Sequence, residues 1–448
     1  MLPILVPAHR QAKSLSGEIM ADHPDRRVLS YRWLIYWVMA FVYLSAFFHR
    51  MSPAVVALDI QKTLGISAGM IGLLSSVYFY SYAFMQPPAG LLSDSLGPRK
   101  SVTIFLIVGA FGSILFGSAE SSVTAIVGRT MVGLGAAMAW TPTMKILSKW
   151  FRPSEFATLT GLLLAVGGMG SLTAAAPLAW LSELWGWQRT FQVIGLGTLL
   201  LAVLVWLVVR DRPEDLGWPA IVKPNPETAR EIGLKEGVRE VLMDKYFWPL
   251  AIWCFFIMGS YFLFAGLWAG PYLIHVYGMT AVQAGYVLNM LAVGLVVGSL
   301  FWSFVSDRVL HSRKRVLIIA SGLYVALAAF LCVFPNGLPW ASLYVIFFLL
   351  GACSLAPGAV TITTTKELFP IEIAGTSIGT VNLFPFVGCA IMQGGSGWLI
   401  DRFAKTPSGA YPMEAYSELL VLILAAAAIG FLSTFVLKET FPHGPIRE

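Results

Sequence analysis

The sequence predicts an all-α integral membrane protein, with twelve transmembrane helices in two pseudo-symmetric six-helix bundles. Three observations carry that expectation. The 448-residue chain is 57% hydrophobic and only 12% charged, its apolar residues gather in long blocks, and the blocks fall into two sets of six around one polar interruption. Soluble domains carry about a quarter charged residues, so this composition excludes one.

Twelve blocks are read, at 31–58, 68–92, 101–118, 122–144, 157–180, 188–209, 246–274, 283–304, 314–334, 338–362, 373–400 and 415–437. A membrane-spanning helix needs about twenty apolar residues, whereas a barrel strand needs about ten in alternation, so the blocks are helices. In the fifth block Gly167, Gly168, Gly170 and Ser171 suit close approach of a neighbouring helix. In the seventh, Gly270-Pro271 predicts a break near the outer end, where the helix bends as a gate.

The stretch from Arg210 to Lys245 holds Pro213, Pro219, Pro224 and Pro226 with many charges. It reads as a cytoplasmic linker between bundles at 31–209 and 246–437. Residues 1–30 contain Arg10, Lys13, Arg26 and Arg27 without a signal-peptide core and read as a cytoplasmic tail, with Met20 an alternative start; 438–448 form the second tail. The formal charge of +6 does not point to nucleic acid, because the basic residues concentrate in alternate loops. Arg99, Lys100, Lys145, Lys149, Arg152, Arg308, Arg313, Lys314, Arg315 and Lys366 lie on one side, against Lys62, Arg189, Arg402 and Lys405 on the other. By the positive-inside rule both termini face the cytoplasm, in a bacterial inner membrane. Cys254, Cys332, Cys353 and Cys389 all fall in spans without metal-ligand spacing and read as small apolar filler.

The halves repeat at matching points. Gly90, Leu92, Asp94, Gly97, Arg99 and Lys100 follow span 2; Ser306, Asp307, Arg308 and Arg313 to Arg315 follow span 8. Lys149, Phe151, Pro153 and Glu155 follow span 4; Lys366, Phe369, Pro370 and Glu372 follow span 10. On these residues the chain resembles the major facilitator superfamily over essentially its whole length. Arg129, Gly133, Gly135, Ala136 and Ala137 in span 4 resemble that family's second motif. The second-half loop copy is degraded, with Ser303 and Leu310 in place of glycines. Gly397, Asp401 and Arg402 look like a third copy, but topology puts them on the outer side, so that match is taken as chance.

The resemblance implies a transporter by alternating access. Gly90, Asp94, Gly97, Arg99, Lys100, Arg129, Asp307 and Arg308 then form a latch that holds the bundles together in one state and releases them in the other. A pattern needed only for folding and topology would look the same.

Arg50 is the strongest functional pointer. A guanidinium keeps its charge, and placing one within a span costs at least ~3 kcal/mol unless a cavity, an anion or protein dipoles surround it. The alternative is a side chain that snorkels to the outer interface. Tyr43, Phe47 and Arg50 share one stripe of span 1, and Tyr78, Tyr82 and Gln86 one stripe of span 2. Trp268 in span 7, Asn289 in span 8, Thr361, Thr363 and Thr364 in span 10, and Asn382 and Gln393 in span 11 complete the candidates for a site among spans 1, 2, 4, 5, 7, 8, 10 and 11. Helix packing would use the same residue types.

The segment from Phe47 through Pro88 is similar to the opening of the superfamily's anion:cation symporter branch, with a late arginine in span 1, a turn at Leu64 to Ser67 and an aromatic span 2 ending near Gln86 and Pro87. That resemblance implies a carboxylate on Arg50. His49 stands where the branch has an acid before the arginine, and Ala136 where it has an acid after Arg129, so the chain departs from the branch at both acidic positions. His49 is the candidate for proton coupling, with a merely hydrogen-bonded histidine as the alternative.

The expectation is a monomeric secondary transporter that imports a small organic anion, a carboxylate, by proton symport, without a cofactor. The alternative is a proton-coupled exporter of drugs or metabolites. Exporters of that kind resemble one another in a span 5 Gly-Pro motif, where this chain has Ala176 before Pro177. An enzyme is not expected, since the sequence has neither a nucleotide-binding loop nor a metal-ligand cluster.

Overall fold

The computed structural model describes residues 26–221, 234–370, 373–407 and 409–441. The tail through Met20, Pro224 and Pro226 of the linker, Glu372 and most of the second tail lie outside the described residues. Twelve described helices are long and apolar enough to cross a membrane: α1 (Arg27–Met51), α2 (Ala68–Ser95), α3 (Pro98–Gly117), α4 (Ser122–Trp150), α5 (Thr158–Trp185), α6 (Trp187–Val208), α7 (Phe247–Tyr277), α8 (Ala281–Val309), α9 (Arg313–Val333), α10 (Trp340–Leu368), α11 (Gly375–Ile400) and α12 (Met413–Thr434). Each answers to one block of the sequence. Between α6 and α7 a short helix, Leu234–Met243, packs on α11.

Start signals set several boundaries. Ser67, Ser121 and Ser312 accept the backbone N–H of Met70, Thr124 and Arg315, and Thr280 pairs reciprocally with Gln283. Gly97 turns the chain from α2 into α3 at φ +87°, a conformation that a side chain resists. A Cβ there would also stand 2.3 Å from the Asp211 carboxylate, which accepts the Arg99 N–H at 2.7 Å.

α1 does not end where its apolar block does. It stops at Met51, and after Ser52, itself in helical conformation, a second helical stretch, Pro53–Leu64, runs on to Gly65. In α7 the expected break at Gly270-Pro271 is absent, since helix Ala269–Tyr277 is continuous through both residues. The irregularity is instead a pair of wide π-helical turns, Cys254–Met258 and Phe264–Trp268. The second lies immediately before Pro271 and absorbs the hydrogen bond that a proline cannot donate. Gly270 serves close packing: a Cβ there would stand 1.8 Å from the Ala54 carbonyl oxygen.

The two sides of the molecule differ. On the side away from the basic loops, α2 meets α11 through Gly72 and Gly397, whose added Cβ atoms would stand 2.5 Å from Gln393 O and 2.3 Å from Ala68 O. Asp401 caps the start of α2 from across the molecule, accepting Ala68 N–H at 2.8 Å and Gly69 N–H at 2.6 Å. Gln61 donates to the Tyr411 hydroxyl at 2.6 Å beside it. Asp401, set aside in the sequence as a chance match, therefore joins the two halves. On the basic side the ion pairs stay within one half: Arg32 with Glu155 at 2.8 Å, Lys145 with Asp94 at 2.5 Å, and Arg313 with Asp307 and Glu367. Burial would raise the Glu155 carboxyl, but hydrogen bonds from Arg152 and Arg32 outweigh it and hold the group below its ordinary value.

Two charge-assisted bonds at one helix start are strong enough to bias a closed surface. Asp401→Ala is expected to loosen the far side. A single cysteine placed at buried Ala54 in a cysteine-free background should label several-fold faster with an impermeant maleimide; unchanged labelling would limit Asp401 to folding.

Candidate functional site

A cavity of about 310 Å³ lies between the halves. Its wall comes from α1, α2, α4, α5, α7, α8, α10 and α11, the eight spans expected to build a site. Gly161, Ser303, Thr365 and Ile378 carry the wall toward the basic-side ends of α5, α8, α10 and α11, whereas the opposite side is closed by the contacts of Ala54, Ala68 and Asp401.

Arg50 stands on this wall, 4% exposed, so it does not snorkel to the interface. Ser52 and the helical stretch beyond it set the residue well inside the molecule. Its guanidinium carbon lies 4.5 Å from the ring centre of Phe47, 4.7 Å from Phe386, 5.0 Å from Tyr82 and 5.6 Å from Phe262. Among the described residues no carboxylate pairs with it, and its Nε has no hydrogen-bond partner. Each aromatic face is worth about 0.5–2 kcal/mol, against an uncompensated buried charge that costs several. The cage holds the cation in place and leaves it able to receive an anion.

Tyr43, Tyr82 and Asn382 share the wall with Arg50. The other four proposed substrate contacts do not line it. Tyr78 stands behind Tyr82, donating to Ala46 O at 3.0 Å, with its hydroxyl also beside Arg50, so it positions the arginine rather than facing the cavity. Trp268 donates to Ser396 at 2.7 Å and Gln393 to Phe262 O at 2.9 Å, both joining α7 to α11. Asn289 lies on α8 off the wall, its Oδ1 unpartnered. Thr361 is on the wall, Thr363 and Thr364 are not.

His49 points elsewhere. Consecutive helix residues diverge by about 100°, and with Arg50 on the cavity His49 packs inside the first half, 6.3 Å from the Phe191 ring, its Nδ1 without a partner. Its carbonyl accepts both terminal nitrogens of Arg129 at 3.2 Å. Arg129 is thus buried beneath the Tyr78 ring at 5.0 Å, away from the basic-side loops to which its motif was joined.

The loop residues lie apart from the cavity. Arg99 donates to Trp206 O and rests on that ring at 4.3 Å; Lys100, Asp94 and Arg308 are exposed, and Asp307 pairs with Arg313. Gly90, a residue of the expected latch, would meet nothing within 4 Å if a Cβ were added, because the halves stand apart on this side. Sequence reasoning missed Trp140, Phe262 and Phe386, three aromatics of the wall. Their only signal is aromatic character, which 13% of the chain shares.

Comparison with known proteins fits this architecture. The chain is 23% identical to the "Probable hexose phosphate transport protein" of Chlamydia muridarum (strain MoPn / Nigg), over 90% of each chain. It is 23% identical to the "Probable galactarate/D-glucarate transporter GudP" of Bacillus subtilis (strain 168), over 93% of this chain and 96% of that one. Among solved structures, a bacterial homolog of the human lysosomal transporter Spinster, in an inward-facing and unoccupied conformation, matches with a TM-score of 0.73 at 18% identity, over 91% of this chain and 98% of the other. The family model of the Major Facilitator Superfamily matches residues 37–393. The chain belongs to that superfamily, resembles its anion:cation symporter branch, and is a membrane transporter rather than an enzyme.

Proposed function

We propose that this transporter imports a small organic carboxylate, held by Arg50, in symport with protons. The single observation that carries the reading is a buried guanidinium on a cavity wall, ringed by four aromatic faces and unpaired with any carboxylate among the described residues. Relatives named for sugar diacids and for hexose phosphates are in keeping with an anion. A phosphate ester would favour two facing cations. Arg129 is the second buried arginine of this half, but it is engaged by the His49 carbonyl and stands off the wall.

With the basic loops in the cytoplasm, the cavity faces inward and the Asp401 cap closes the outside. In the opposite state the cap parts, the anion enters to Arg50, and Asp94 exchanges Lys145 for a contact that closes the cytoplasmic side. His49 is the proton site. A proton there adds positive charge one residue from Arg50 and beside Arg129, and a bound anion offsets it, so each favours the other's binding. The coupling runs through the shared helix turn, since His49 does not reach the cavity.

Arg50→Lys keeps the charge and loses the planar fork, so uptake of the identified anion into proteoliposomes should fall at least about tenfold at normal expression. Wild-type rates would remove Arg50 from the site. His49→Gln should still bind the anion but no longer accumulate it when a pH gradient is imposed; gradient-driven accumulation at the wild-type level rules out that proton site. Asp94→Asn should slow maximal uptake several-fold with equilibrium affinity little changed, and a large loss of affinity at normal maximal uptake would contradict the latch.

A further inference from the structure

The cavity wall says more about the anion than its charge. Away from Arg50 it is built largely from Leu164, Met258, Val296, Leu300, Leu355 and Val381. Near Arg50 the Tyr43 and Tyr82 hydroxyls can join the guanidinium in donating to one carboxylate. Among the described residues no second arginine, lysine or histidine lines the cavity. Three of the remaining hydroxyls already donate within their own helices: Ser299 to Leu295 O, Thr361 to Gly358 O and Thr365 to Thr361 O, each at 2.7 Å. That leaves Asn382, Ser303 near the basic-side mouth, the Trp140 indole and the Cys254 thiol as polar groups with a proton to offer.

A polyhydroxylated diacid fits this wall poorly. One carboxylate would find Arg50, but the other would meet no cation, and each hydroxyl facing leucine, valine or methionine would give up its water without a replacement. An apolar body loses nothing by the same transfer and gains from leaving water. The aromatic faces of Phe47, Tyr82, Phe262 and Phe386 lie next to the anchor, where the carbon attached to the carboxylate must pass.

Resting on the assignment of Arg50 as the anion anchor, we propose that the cargo is a monocarboxylate with an apolar body, an aryl or branched alkyl acid, and not a sugar diacid or sugar phosphate. The test is the thermal midpoint of the purified full-length protein near neutral pH, titrated with phenylacetate, 4-methylpentanoate, D-glucarate, glucose 6-phosphate and neutral phenylacetamide up to about 10 mM. Phenylacetate or 4-methylpentanoate should stabilise wild type at concentrations at least about tenfold lower than D-glucarate or glucose 6-phosphate, and lose that effect in Arg50→Lys. D-glucarate or glucose 6-phosphate stabilising as well as the apolar acids, in an Arg50-dependent way, would overturn the inference while the anion reading stands. Absence of a shift with both apolar acids would overturn it as well. Phenylacetamide matching phenylacetate, with Arg50→Lys indistinguishable from wild type, would instead defeat the anion reading itself. Wild type alone distinguishes the cargo classes, so a poorly folding variant does not block the test.

Discussion

The structure turns on one buried charge that its own half does not neutralise. Arg50 cannot shed its proton, and although α1 ends one residue later at Met51, the helical stretch Pro53–Leu64 carries the chain on beyond it. Four rings hold the guanidinium by their negative faces, two from each half: Phe47 and Tyr82 from α1 and α2, Phe262 and Phe386 from α7 and α11. Cation–π attraction fixes the position without cancelling the charge. Because the cage spans both halves, any rocking of one against the other changes the surroundings of Arg50. On the proposed reading, anion binding and the conformational cycle are thereby tied to the same residue.

The far-side closure complements this arrangement. Asp401 meets the positive end of α2 with two backbone hydrogen bonds, and glycines at 72, 270 and 397 let backbones approach where side chains would hold them apart. On the basic side the acids Asp94, Glu155 and Glu367 find partners within their own halves, and no ion pair among the described residues bridges the gap there. A carboxylate capping a helix start across the interface is easily broken in a concerted motion, since both partners regain water when the surface opens.

Much of the fold was legible in the sequence because lipid leaves few alternatives. Twelve apolar blocks became twelve helices, and a charge inside the first block marked the cavity. The direction in which each side chain points was less legible. Tyr43 and Tyr82 reach the cavity, yet Tyr78, one turn from Tyr82, is turned back to Ala46, and His49 faces the bundle interior beside Arg50. The Trp268 indole and the Gln393 amide nitrogen are spent on contacts between α7 and α11, as their residue type allows equally well, while Gln393 Oε1 is left without a partner. Asp401 was unreadable for a different reason: its partner lies 333 residues away, and the motif it resembled predicted the opposite side. The π-helical turns of α7 have no periodic signature either, and Gly270-Pro271 drew attention to a position that stays helical.

The most direct measurement of the central claim is an experimental structure of the transporter with a transported anion bound. The account predicts the anion's charged group within hydrogen-bond distance of the Arg50 guanidinium, inside the cage of Phe47, Tyr82, Phe262 and Phe386. An anion seated elsewhere, or an Arg50 paired with a carboxylate of the protein itself, would contradict it.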